Sequence, residues 1–345
     1  MTLLGGITYE QTEKFMGSFI RYEEPRQLFY DNLVGNTIKV ETDKDVAVLI
    51  FENREKKFNY LSCDTDFYKY LAEPSEEPAL NRPVDFLESI VILHLKTQDK
   101  EKISRVQYLF KEFDNSASFE FDGRELANNV LRNPSLRYPP KSYTFNKNTL
   151  VNLDYIEEFL CPPTGNNLFE IIQTNSKLRQ EIASMFERYG QKLQLRMDER
   201  RLEIIKDQDG IIYSYPYSSV ADTLQRIIFY LAAIESNDDA VLLFEAPEAH
   251  SFPVYVSKLG RRIVESRNNQ FFIDTHSPYL ITEVLETILT DDAQAGELAM
   301  FAAYYEDHQT KVHQLSDEEI RSIRNDGIDV FYNMKRFTTG AASNA

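Results

Sequence analysis

The feature that most constrains the fold of this 345-residue chain is an alternation of strand and helix in its last third. Short apolar runs at Ala240 to Phe244, Gln270 to Ile273 and Leu298 to Tyr305 lack polar alternation. Helical segments at Ser219 to Ala233, Val254 to Ser266 and Pro278 to Leu289 precede or separate them. Strands apolar on both faces, joined by helices of about ten residues or more, are what a parallel sheet covered on both faces requires. The expected class is therefore α/β, with a mostly parallel sheet and helices on both faces.

The rest of the chain reads differently. Apolar positions from Thr2 to Asp31 suit two short helices broken by Gly and Pro. Runs at Thr37 to Glu41, Val46 to Glu52 and Phe58 to Cys63, separated by charged turns, predict an antiparallel meander. Between Leu71 and Tyr143 amphipathic segments such as Val84 to Thr97 and Lys102 to Phe113 predict a helical insert. A helical region over Leu168 to Tyr189 stops at Gly190, and strands follow at Lys192 to Met197, Arg201 to Lys206 and Ile211 to Tyr215, the last after an Asp209-Gly210 turn. The division expected is 1–70 for helices and β subdomain, 71–158 for the insert, 159–337 for the core and 338–345 for a frayed tail.

A formal net charge of −17 means that the surface as a whole repels nucleic acid, so any DNA contact needs a local basic patch. Two groups are candidates: Arg196, Arg200 and Arg201, and Arg261, Arg262 and Arg267. Solvated, paired charges are the simpler reading of both. Cys63 and Cys161 are isolated and read as small buried hydrophobes rather than as zinc ligands or a disulfide. No run of about eighteen apolar residues is present and the Met1 end lacks the features of a signal peptide, so the expected location is cytoplasmic.

Chemistry concentrates where the apolar runs end. Val241-Leu-Leu-Phe-Glu-Ala-Pro-Glu-Ala-His250 puts Glu245 at the carboxyl edge of a parallel strand, where α/β proteins bind ligands. Phe271-Phe-Ile-Asp-Thr-His-Ser-Pro278 brings Asp274, Thr275 and His276 to the same edge. A histidine there can donate to a phosphate oxygen or orient a water, although alone it is equally a capping or core residue. Ser218 and Ser219 open the helix upstream, where hydroxyls and free N–H groups can form an anion site or simply cap.

In order and spacing, these three elements resemble the signature helix, Walker B strand and switch-histidine strand of ABC-type ATPases in the SMC/RecF/OLD branch. The resemblance is strongest over Phe159 to Ile281, with Pro162-Pro-Thr-Gly-Asn-Asn-Leu168 as lead-in. It implies an ABC/RecF-like P-loop ATPase fold with an antiparallel β subdomain and a helical insert. It also implies ATP and Mg²⁺ as cofactors: Glu245 on the metal, His276 sensing the γ-phosphate, and Ser218 reaching nucleotide on an opposite subunit, hence a homodimer or higher homo-oligomer.

Three departures accompany the match. Ala246 stands where the family has the glutamate that polarises the attacking water, so hydrolysis should be slow, and Glu248 beyond Pro247 is a weak substitute. Val220 stands where the signature helix usually has Gly. No Gly-x-x-x-x-Gly-Lys-Ser/Thr occurs, and since Thr2-Leu3-Leu4 resembles the helix start that comes directly after a P-loop lysine, an upstream segment carrying the Walker A element is expected.

The resemblance points to an ATP-binding switch that controls an effector, such as a TOPRIM-type nuclease in anti-phage defence. No nuclease cluster is visible, since the acids from Asp317 to Asp329 read as cap and surface charges. The alternatives are a non-catalytic scaffold that keeps the ATPase fold, and a RecF/SMC-like DNA-repair ATPase, for which the charge gives no support.

Overall fold

A computed structural model describes residues 37–43, 45–52, 57–65, 117–121, 131–132, 141–147 and 158–338. The chain divides into two units, Met1–Ser142 and Tyr143–Ala345.

The first unit contains a five-stranded antiparallel sheet in sequential order: β1 (Ile38–Glu41), β2 (Asp45–Glu52), β3 (Lys57–Asp64), β4 (Ala117–Phe121) and β5 (Leu131–Arg132). The expected meander is present. β2 is buried along Val46 to Phe51 without alternation, which explains its continuous apolar run. The region expected to be a helical insert also supplies β4 and β5, which extend the meander. The short β-branched-poor runs Ala-Ser-Phe-Glu-Phe and Leu-Arg carry little strand signal of their own, so pairing with β3 decides them. The two amino-terminal helices, and the helices at Val84 to Thr97 and Lys102 to Phe113, lie outside the described residues.

The second unit begins at Tyr143, the last residue of β6 (Lys141–Tyr143). Two helices follow, α1 (Leu168–Thr174) and α2 (Ser176–Glu187), in place of the single helical region expected. Asn175 divides them: it leaves helical geometry and its side chain accepts from the Leu178 N–H, capping α2. An antiparallel sheet, β7 (Lys192–Arg196), β8 (Arg201–Gln208) and β9 (Ile211–Pro216), comes next. Asp209 and Gly210 both have positive φ in the β8–β9 turn, as the Asp-Gly pair predicts.

A 3₁₀ turn, Tyr217–Ser219, leads to α3 (Asp222–Ser236), then β10 (Val241–Glu245), α4 (Pro253–Glu265), β11 (Gln270–Asp274) and α5 (Pro278–Ile288). β10 and β11 pair in parallel, Val241 opposite Gln270 through Glu245 opposite Asp274, in a sheet ordered β11-β10-β6. Asn269 fixes the starting register: it accepts from the Ala240 N–H and donates to the Asn237 carbonyl. α3 is buried along Ile227 to Ile234, and Phe229 and Tyr230 stack edge-on or tilted among Tyr143 and Phe244.

α6 (Asp292–Ala295) precedes a hairpin of β12 (Phe301–Glu306) and β13 (Gln309–Gln314). This corrects the expectation that β12 continues a mostly parallel sheet: among the described residues it pairs with β13 alone, and the meander, the β7–β9 sheet and this hairpin are all antiparallel. Asp307 and His308 take positive φ and close a two-residue turn. Ser316 caps α7 (Asp317–Asn325) in a reciprocal capping box with Glu319. The Asp317, Glu318 and Glu319 run is thereby accounted for as a helix start. With α8 (Met334–Thr338), these elements enclose a second core of Leu285, Leu289, Ala302, Leu315, Ile320 and Phe337. No helix among the described residues is long and apolar enough to cross a membrane.

Candidate functional site

The parallel register sets the site. Because Glu245 is directly opposite Asp274, two carboxylates project side by side from the last position of adjacent strands, on the same face. Both are exposed. The ladder continues one step further, since the Ala246 N–H donates to the Asp274 carbonyl at 2.9 Å. Below, the Tyr230 hydroxyl points to the Glu245 carbonyl at 3.5 Å, and burial pushes this phenol up to about 12, against the opposing influence of Arg226. The sequence did not single out Tyr230 or Arg226; both sit on α3 among core residues, and Arg226 lies 4.8 Å from the ring centre of Phe145.

After β10 the chain turns through two left-handed residues, Ala246 at φ 41° and His250 at φ 57°. Side chains other than glycine hold that conformation only where the surroundings impose it. Three ties do so: the Ala246 N–H to Asp274, the Thr223 hydroxyl to the His250 carbonyl at 2.9 Å, and Glu248. Glu248 Oε1 accepts from the Thr275 hydroxyl at 2.7 Å and from the His276 N–H at 3.0 Å. Glu248 is therefore turned into the protein, not toward the position that Ala246 leaves without a carboxylate. Thr275 accepts in turn from the Ser277 N–H, and Ser277 caps α5 at the Leu280 N–H. The His276 ring faces the edge of Phe331, 6.3 Å between ring centres.

Ser218 and Ser219 are placed in the 3₁₀ turn, not at the helix start. α3 begins at Asp222, neither serine caps it, and Ser219 donates to the Pro216 carbonyl at 2.7 Å. Pro216 in extended geometry and the 3₁₀ bonds displace the helix from Ser219 to Asp222. Asp222 occupies the first turn and pairs with Lys147 at 3.3 Å, so a carboxylate already complements the positive end of the helix. Val220 is buried in the core with extended backbone angles, and Gln225 donates to its carbonyl. Its side chain serves packing in this chain. The Tyr217 hydroxyl is buried without a hydrogen-bond partner among the described residues, and burial raises it above the ordinary tyrosine range.

The arginine groups weighed as nucleic-acid contacts are paired with acids. Arg196 reaches Asp198 and Glu199, Arg200 reaches Glu170, and Arg201 reaches Glu199. Arg261 binds Glu283, Arg262 binds Glu181, and Arg267 lies 3.9 Å from Glu297. Among the described residues no three metal-ligating side chains converge. Two adjacent carboxylates suit Mg²⁺ arriving with phosphate oxygens and water better than a self-sufficient metal cage. Cys161 and Cys63 are both buried, as expected.

No protein-family model matches the chain, and no curated protein matches it in sequence. Among solved structures it is similar to an SMC ATPase studied for ATP-driven dimerisation and DNA-stimulated activation, at 17% identity over 50% of this chain and 99% of that one, with a TM-score of 0.31. It is also similar to an Smc head domain with an extended coiled coil from Pyrococcus furiosus, bound to the C-terminal domain of ScpA (17% identity, 44% of this chain and 38% of that one, TM-score 0.30). A third likeness is to the SMC head domain from Thermotoga maritima (9% identity, 84% and 83% covered, TM-score 0.31).

Proposed function

We propose that the chain is an ATP-binding subunit of the ABC ATPase type that closes as a homodimer or larger homo-oligomer around nucleotide and passes that state to an effector protein. The observation that carries this reading is the pairing of Glu245 with Asp274 at the carboxyl edge of parallel strands, with Thr275 and His276 on the next turn. Glu245 and Asp274 are the residues that would hold Mg²⁺, which when bound neutralises phosphate charge. His276 would donate to a phosphate oxygen, and Ser218, exposed in its turn, would meet a neighbouring subunit. With Ala246 in place of a water-orienting carboxylate and Glu248 turned inward, turnover is slow.

The class of effector comes from the resemblance alone: a TOPRIM-type nuclease, in anti-phage defence. The acidic surface favours a protein partner over DNA, and the paired arginines add to that. The second reading is a scaffold that retains the fold without nucleotide; Ala246, where a water-orienting carboxylate would stand, favours it.

Calorimetric titration of the full-length protein with ATP, with and without Mg²⁺, separates them. Saturable binding strengthened by Mg²⁺, with the Mg²⁺ increment lost in Glu245→Gln, supports the nucleotide reading. No saturation at millimolar ATP leaves the scaffold.

A further inference from the structure

Glu248 is nine-tenths buried, and its Oε2 is enclosed with no hydrogen-bond partner among the described residues. Packing alone does not ask for a carboxylate there, since an apolar side chain would fill the space without desolvating a polar group. What Glu248 gains is specific. Its Oε1 collects two donors, the Thr275 hydroxyl and the His276 N–H, both from the turn after the neighbouring strand. Ser277, next in that turn, bonds to Thr275 and begins α5.

The other end of the Glu248 loop is equally fixed. Ala246 is tied to Asp274 and His250 to Thr223, and both residues are held in left-handed backbone geometry. The loops after β10 and β11 are thus fastened at the sheet edge by backbone and away from it by one side chain.

We propose that Glu248 is a positioning residue of the strand-end site, locking the His276 turn onto the loop that carries Glu245 so that His276 and the two carboxylates keep one fixed arrangement. The inference rests on the proposed role of His276 and Glu245 for its functional meaning, but the lock is measurable without nucleotide. Glu248 does not itself reach a bound ligand; it acts through the backbone of His276.

The chain has five histidines, so histidine-selective isotope labelling of the whole protein gives a small set of signals. In the unaltered protein the His276 amide should be protected from solvent exchange. Glu248→Ala should speed its exchange by about tenfold to hundredfold, the factor of a charge-assisted hydrogen bond, and should move the His276 ring signal. Glu248→Gln keeps an oxygen acceptor for both donors and should return exchange to within about fivefold of the original. His308 and His313, in the β12–β13 region, should not move; equal shifts there would mean a general loss of structure and overturn the lock.

An unprotected His276 amide in the unaltered protein overturns the proposal without any variant, which covers failure of Glu248→Ala to fold. A calorimetric arm with Mg²⁺ and ATP keeps the two ideas apart. Absent ATP binding beside the expected exchange pattern overturns the nucleotide reading and supports the lock. ATP binding beside unchanged His276 exchange in Glu248→Ala overturns the lock and leaves the nucleotide reading.

Discussion

β10 and β11 are neighbours of equal length, parallel and in register, yet they live in different surroundings. Leu242, Leu243 and Phe244 of β10 are all buried, whereas β11 alternates between exposed and half-buried positions. The contrast is sharpest across one rung. Leu243 is 5% exposed, and its register partner Phe272 is 41% exposed. Their sequences, Val-Leu-Leu-Phe-Glu and Gln-Phe-Phe-Ile-Asp, are similarly apolar, so composition does not separate them. Position in the sheet does: β10 has strands on both sides, and β11 ends the described order. An apolar strand signals a parallel sheet without saying which strand will be central.

Substitutions can test how deep that difference runs, read by native-state hydrogen exchange at β10 amides, which reports opening of this sheet. The largest effect is expected for Phe244→Ala. That ring is almost fully enclosed between Tyr230 and Phe271, and its loss should cost about 3–5 kcal/mol. Asn269→Ala is intermediate. It removes the side chain that sets the common start of both strands and leaves the Ala240 N–H without its acceptor, a loss of about 1–3 kcal/mol. Phe272→Ala should be the smallest, under about 1 kcal/mol, because much of the ring is already in solvent. A Phe272 effect as large as that of Phe244 would erase the distinction between central and outer strand.

The sequence showed the strand ends more clearly than the loops that make them a site. Glu245, Asp274 and His276 come after apolar runs, and a parallel register brings such residues together. Glu248 could be seen but not interpreted, because its inward course depends on left-handed backbone at Ala246 and His250, neither of which is a glycine or asparagine. The β12–β13 hairpin was hidden for a similar reason: Asp307-His308 lacks the Gly that usually marks such a turn. The start of α3 was misplaced because Ser218 and Ser219 suit a cap by residue type, while the 3₁₀ turn uses the Ser219 hydroxyl for Pro216. The break at Asn175 was masked by apolar periodicity that continues from Ile172 to Leu178 and Ile182.

α5 begins immediately after the His276 turn and belongs to two cores at once. Leu280, in its first turn, joins the core that holds Leu242 and Phe244, while Leu285 and the adjoining Leu289 join that of Ala302, Ile320 and Phe337. Its flank is pressed against α4 so closely that a methyl group on Gly260 would stand 3.1 Å from Cβ of Glu283. A rod clamped in this way has little freedom to bend or slide independently of its supports. The turn at its head is therefore anchored through α5 in both cores, and a load on His276 is borne by the two together rather than passed on to the hairpin.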